Sequence, residues 1–173
     1  MKPSSLLISL GLLAALAGRP ASAQTAGSEP DVKAQIVYRV LLFVSWPPQR
    51  LPAAQPFDLC YFDDDALSAA LLRLAGQSVH GRALRVRKVL PQQAAQCHAA
   101  YVGVQAPAAV AAQGGTAVLL VGDRLGLIEE GVMLNLQTDG GRVAFDIGLS
   151  AARRAGLQFS AKLLRLARFV KDD

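Results

Sequence analysis

The stretch from Gly131 to Val170 constrains the fold more than any other part of the chain, because two alternating runs and two helical runs follow one another with glycine stops between them. Val132, Leu134 and Leu136 alternate with Met133, Asn135 and Gln137. Beyond Thr138-Asp139-Gly140-Gly141, Val143, Phe145 and Ile147 alternate with Ala144, Asp146 and Gly148. Period-two alternation predicts a β-hairpin with one mostly apolar face. The glycine pair suits a tight turn with positive φ, a conformation costly for residues carrying a Cβ. Ser150 to Ala155 predicts a short helix stopped by Gly156. Ser160 then caps a last helix in which Leu163, Leu164, Leu166, Ala167 and Val170 form an apolar stripe. A hairpin and helices that each hide one face must hide it against a common layer, so this end is expected to close the core.

The other end is a leader. Lys2, an apolar run from Leu6 to Ala17 and the small residues Ala21-Ser22-Ala23 give the basic start, short apolar centre and small-x-small exit of a secretory signal peptide, expected over residues 1–23. The run is too short to span a bilayer comfortably. Removing the leader takes away Lys2 and Arg19 but no acid, so the formal charge of +5 falls to a mild positive balance. Such a balance suits solubility and acidic partners rather than nucleic acid. No later run approaches the length of a membrane helix, so membrane insertion after cleavage is not expected. Export also means an oxidising compartment, in which the two cysteines, Cys60 and Cys97, form one disulfide or remain two buried thiols. A bridge would close a loop of about 38 residues, which loop-closure entropy values at roughly 4 kcal/mol.

Between the ends, residues 24–30 are small and polar and are expected to form a flexible lead. Asp31 is the expected cap of a helix running to Val44, with Ile36, Val37, Val40, Leu41 and Val44 on its buried side; Trp46-Pro47-Pro48 stops it. Phe57 to Phe62, Leu84 to Val89, Ala99 to Val104 and Ala117 to Val121 predict strands. Short helices are expected up to Leu74 and from Pro107 to Gln113, with a helical turn near Gln92 to Gln96. Strands alternating with helices indicate an α/β domain over residues 31–173, with a mixed, mostly parallel sheet flanked by helices and closed by the C-terminal hairpin and helix.

The residues that carry chemistry elsewhere are weakly assembled here. Asp63-Asp64-Asp65 follows a strand and precedes a helix, which suits capping by Asp64 or Asp65, or oxygen ligation of a cation. Asp63, Asp64 and Asp123 follow strands, and together with Gly103 they define a candidate ligand crevice at the sheet rim. His80 and His98 lie far apart, and neither a G-x-S-x-G nor an H-E-x-x-H motif is present. Cys97 and His98, adjacent in an extended segment, point to opposite faces, which opposes activation of the thiol. The chain is therefore read as a binding protein rather than an enzyme, with no catalytic, metal or cofactor residues assigned. Arg153, Arg154, Arg165 and Arg168 with Phe169 form a candidate partner surface, the alternative being solvated helix faces that complement the C-terminal dipole.

VKAQIVYRVLLFVSWPP, FDLCYF, LAGQSVHGRALRVRKV, Cys97-His98, VLLVGD and GVMLNL, in this order and ahead of the hairpin-to-helix close, resemble the YfiR-like family of periplasmic domains over about Val32 to Val170. The resemblance implies a small periplasmic inhibitor that binds the periplasmic sensing part of an inner-membrane diguanylate cyclase, or another sensor protein. Holding a cyclase inactive lowers cyclic di-GMP and biofilm formation. It also implies a homodimer and redox-sensitive disulfide braces, and it supports a bridge between Cys60 and Cys97. Two positions depart from the family pattern: Gly148 stands where asparagine is usual, and Ser160-Ala161 where two serines are usual. The alternative reading is a periplasmic small-molecule-binding module serving a receptor or transporter.

Overall fold

The computed structural model describes residues 27–52, 54–105, 107–114 and 117–173. The expected leader and the first residues of the expected lead lie outside the described residues. In chain order the elements are α1 (Glu29–Leu41), β1 (Val44–Ser45), β2 (Phe57–Tyr61), α2 (Ala66–Leu72), β3 (Ser78–Val79), β4 (Arg82–Lys88), β5 (Ala99–Tyr101), α3 (Pro107–Gly114) and β6 (Leu119–Gly122). After them come β7 (Leu134–Asp139), β8 (Arg142–Gly148), α4 (Leu149–Arg154), β9 (Gln158–Phe159), α5 (Ala161–Leu164) and β10 (Phe169–Lys171). An eight-stranded sheet runs in the order β10-β8-β7-β6-β5-β2-β4-β3. Its neighbours are parallel except at β7–β8 and β3–β4. The architecture is the mixed, mostly parallel α/β sheet flanked by helices that the sequence predicts.

The central strands β2, β5 and β6 are buried along their whole length. Covered on both faces, they read as nearly continuous apolar runs. One step from the edge, β4 keeps Leu84 and Val86 inward while Arg85 and Arg87 face partly outward. The β7–β8 hairpin pairs Leu134 with Ile147 and Leu136 with Phe145, and turns at Gly140 (φ 54°) and Gly141 (φ 76°) as expected of a primed turn. Its polar positions are less wet than alternation suggests. Asn135 and Gln137 are buried as well, and Asn135 Nδ2 donates to the Arg124 carbonyl at 2.8 Å.

Both ends of the domain differ from expectation. The helix α1 begins at Glu29, and Ser28 rather than Asp31 is its cap, with the Ser28 hydroxyl accepting from the Asp31 amide. Pro30 sits in the first turn, where a missing N–H costs nothing, so it starts the helix instead of ending a lead. At the other end Ser160 caps α5 as predicted, but the helix lasts one turn, and Phe169 to Lys171 forms the edge strand β10 beside β8. A continued helix would leave the outer edge of β8 open and Asp146, only 5% exposed, without its partner. In the strand, the Arg168 amide donates to the Phe145 carbonyl at 2.9 Å, and its guanidinium grips Asp146 at 2.9 and 2.5 Å. A buried carboxylate needs such pairing, and a forked guanidinium supplies it.

Gly148 marks a close approach. A Cβ there would lie 2.5 Å from the Val132 carbonyl oxygen, so the chain passes where a side chain would collide. Glycine at this position is a steric requirement of the observed backbone.

Candidate functional site

Three regions gather the residues that the sequence singles out. The first is the rim at the carboxyl ends of β2, β5 and β6. The chain leaves β2 toward β4 and returns to place β5 on β2's other side. Between β2 and β5 the connections therefore diverge, as at the binding crevice of an open α/β sheet. A cleft of about 340 Å³ opens there, lined by Lys33, Asp65, Tyr101, Gly103 and Asp123 among others. The Tyr101 hydroxyl lies 2.9 Å from Asp65 Oδ2 and 2.9 Å from Asp123 Oδ1. Lys33 reaches Glu29 at 2.8 Å and Asp123 at 3.3 Å. Burial pushes the Tyr101 phenol far above its ordinary pKa, and the two carboxylates push it further. Burial opposes the charge on Lys33, but Glu29 and Asp123 outweigh it and hold its pKa above the usual lysine value.

Of the predicted crevice residues, Asp123 and Gly103 line the cleft, and Asp63 stands beside it. A Cβ on Gly103 would lie 3.5 Å from Asp63 Oδ2, and that oxygen accepts from Gln105 Nε2 at 2.9 Å. Asp64 is not brought in: it is exposed and pairs with Lys88. The cap of α2 is Asp65, whose Oδ1 accepts from the Ser68 amide at 2.7 Å. Tyr101, which holds the rim together, was not singled out from the sequence because it reads as one more apolar strand residue. The signal for it is the placing of acids directly after β2 and β6, on either side of β5.

The second region is the brace that ties Cys60 of β2 to Cys97, just ahead of β5, with His98 and Asp58 beside it. Cys60 and Cys97 are bonded, with Cα atoms 6.0 Å apart. His98 points away from them, as adjacent residues in extended backbone must. Its Nδ1 accepts from the Asp58 amide at 2.9 Å, its Nε2 donates to the Arg50 carbonyl at 2.7 Å, and its ring stacks on Phe57 at 4.8 Å. Both nitrogens are thus occupied, which leaves neither a lone pair for a metal nor a base for a nucleophile. Burial holds the His98 pKa below the ordinary imidazole value. Nearby, the buried Asp58 is gripped by Arg85 at 2.5 and 2.8 Å and approached by Arg87 at 3.4 Å. Burial raises the Asp58 pKa, but Arg85, Arg87 and His98 outweigh it and keep the carboxyl below its usual range. His80 joins the same aromatic cluster, its ring 6.5 Å from Phe57 and 5.9 Å from Trp46, with its Nε2 2.9 Å from the Leu41 carbonyl.

The third region is the C-terminal surface. Here the predicted arginines divide. Arg168 turns inward to Asp146 and Arg153 pairs with Asp172, whereas Arg154 and Arg165 are exposed without an ion pair among the described residues. Phe169 is 52% exposed and Leu166 64%. Between α1, β8 and α5 lies an almost wholly apolar groove of about 350 Å³, lined by Val32, Ile36, Val40, Phe43, Phe145, Leu163 and Leu166, with Arg39 at its wall. The apolar spacing predicts one buried face for α1. In fact the helix is apolar on two: Ala34, Val37 and Leu41 are buried in the core, while Val32 and Ile36 open onto the groove, with the buried Val40, next in the spacing of four, at its floor. That second stripe was the available signal.

Residues 30–168 match the family model described as YfiR/HmsC-like. Among curated proteins, none matches the sequence. A solved structure, a conserved domain protein from Vibrio cholerae O1 biovar El Tor, is similar in fold, with a TM-score of 0.53 and 15% sequence identity. The alignment covers 83% of this chain and 60% of that one, so the chain spans less than two thirds of its neighbour's length.

Proposed function

Because the chain belongs to the YfiR/HmsC-like family of periplasmic regulators of diguanylate cyclase signalling, we propose that it is exported and holds a membrane-bound cyclase inactive by docking on its periplasmic sensor domain. The observation that carries this reading is the open apolar groove walled by Val32, Ile36, Phe43, Phe145 and the exposed Leu166. Exposed apolar side chains gathered at one place mark a binding surface, whereas scattered ones do not. Inhibition of this kind needs no bond chemistry, only a preference for the partner's inactive state. Moving a two-state partner from about 1:99 to 99:1 takes roughly 5.5 kcal/mol of differential affinity. Two to four large apolar side chains, each worth about 1.5–3 kcal/mol when fully buried, supply an amount of that order. The Cys60–Cys97 bridge joins β2 to the start of β5, and its reduction is read as loosening the domain and lowering partner affinity.

The test is genetic and direct. Deleting the gene should raise cyclic di-GMP, the wild-type chain should restore it, and a Leu166→Asp chain exported at equal level should not. An unchanged cyclic di-GMP level on deletion would end this reading. The rim cleft at the β2–β5 switch point favours a second reading, a small-ligand module. It is tested by thermal shift against metabolites, because a true ligand raises the melting temperature by mass action.

A further inference from the structure

The groove has a basic rim. Arg39 lines one wall, Lys162 holds its Nζ 5.4 Å from the centre of the Phe43 ring, and Arg165 follows Lys162 on the same turn. All three are exposed, and among the described residues none of them makes an ion pair, unlike Arg73, Arg85, Arg153 and Arg168. The acid that lines the groove, Asp31, is already taken by Arg73 and Ser28. Cations set around a low-dielectric floor focus their field into it. An occupant must therefore be apolar where it meets the floor and negative where it meets the rim.

Resting on the regulatory reading above, we propose that the groove receives an acidic amphipathic helix of the regulated protein. Its apolar side chains would seat on the floor, and flanking carboxylates would meet Arg39, Lys162 and Arg165. The stripe from Val32 to Val40 runs about 12 Å at 1.5 Å per residue, which matches two turns of a docked helix and anchors spaced i, i+3 or i+4, and i+7. A second copy of this chain fits poorly, because a two-fold contact would lay the patch on itself and set these cations against their own copies. A lipid surface fits poorly too, since a concave floor seats a ridge and not a plane.

The experiment is selection of peptides from a random display library on the wild-type chain, keeping those that fail to bind Leu166→Asp. That change sits on an exposed side chain, and an unchanged melting temperature checks that the fold is kept. The selected peptides should carry an i, i+3/i+4, i+7 apolar set with Asp or Glu beside it. The combined Arg39→Glu, Lys162→Glu and Arg165→Glu variant, with unchanged melting temperature, should associate with them at least about tenfold more slowly. The proposal is overturned by groove-dependent peptides without acidic enrichment, by no groove-dependent peptide at all, or by undiminished association of the triple variant. A dimer in sedimentation that Leu166→Asp dissolves, or anionic vesicles whose binding Leu166→Asp abolishes, would equally overturn it. If Leu166→Asp loses control of cyclic di-GMP while the peptides lack acids, the helix chemistry fails and the regulatory reading stands. Acidic groove peptides with cyclic di-GMP unchanged in that variant give the reverse.

Discussion

Replacing Gly148 by alanine or asparagine tests the packing of the closing hairpin at its tightest point. The φ of Gly148 is −89°, an angle open to any residue, so backbone preference is not at stake. What is at stake is space: the new Cβ would lie 2.5 Å from the Val132 carbonyl oxygen, about 0.8 Å inside the shortest ordinary C–H···O approach of about 3.3 Å. The obstacle is backbone, which cannot swing aside as a side-chain end does. Relief requires Val132 and Gly148 to part, and that stretches the 3.0 Å bond from the Gly148 amide to the Met133 carbonyl. Overpacking costs about 1–3 kcal/mol and a weakened hydrogen bond about 1 kcal/mol, so the expected loss is about 2–4 kcal/mol. For a domain of this size that is a fall of roughly 5–15 °C in melting temperature. Urea unfolding of Gly148→Ala and Gly148→Asn measures it. Gly141→Ala serves as the control, because at φ 76° with nothing within 4 Å it carries strain without collision and should lose only about 1–2 kcal/mol. If Gly148→Ala were as stable as the wild type, the close approach would not exist in solution and the reasoning would fail.

Reducing the Cys60–Cys97 bridge, whose cysteines are 37 apart in sequence, should lower stability by up to roughly 4 kcal/mol; equal melting temperatures with and without dithiothreitol would refute this. Acidification should destabilise the fold through His98. Its folded pKa is depressed by burial, so its contribution is fully present above the unfolded value near 6.5 and is lost as pH falls below it. A fall in the urea midpoint between about pH 7 and 5.5 that His98→Gln flattens is the expected result, and a profile unchanged by the substitution would count against it. Tyr101→Phe removes the donor shared by Asp65 and Asp123 and should cost about 1–3 kcal/mol; a neutral effect in chemical denaturation would mean that water replaces the hydroxyl.

Much of the fold was legible, and the reasons are local. The hairpin could be read because alternation and a Gly-Gly turn set its register together. The cap of α2 could be narrowed to two aspartates because capping needs a short side chain just before the first turn. Asp58, by contrast, hid in the apolar run FDLCY: an acid in a central strand must be paired, but its partners lie on β4, 27 and 29 residues on. Nearness in sequence groups the candidate partner arginines as one surface, yet Arg168 and Arg153 have acids as partners, Asp146 on β8 and Asp172 in the tail. Sequence distance conceals such pairs because a charge shows its demand for a partner without naming which.

The order of strands and helices, the apolar identity of the central strands and the turn of the last hairpin follow from the residues themselves, since periodicity and glycine act over neighbours. That Phe169 to Lys171 became a strand, that Tyr101 bridges two loops, and that α1 shows a second apolar face over a basic-rimmed groove were decided by packing. Each depends on which edge, acid or helix the folded chain brings alongside, and such neighbours exist only in three dimensions.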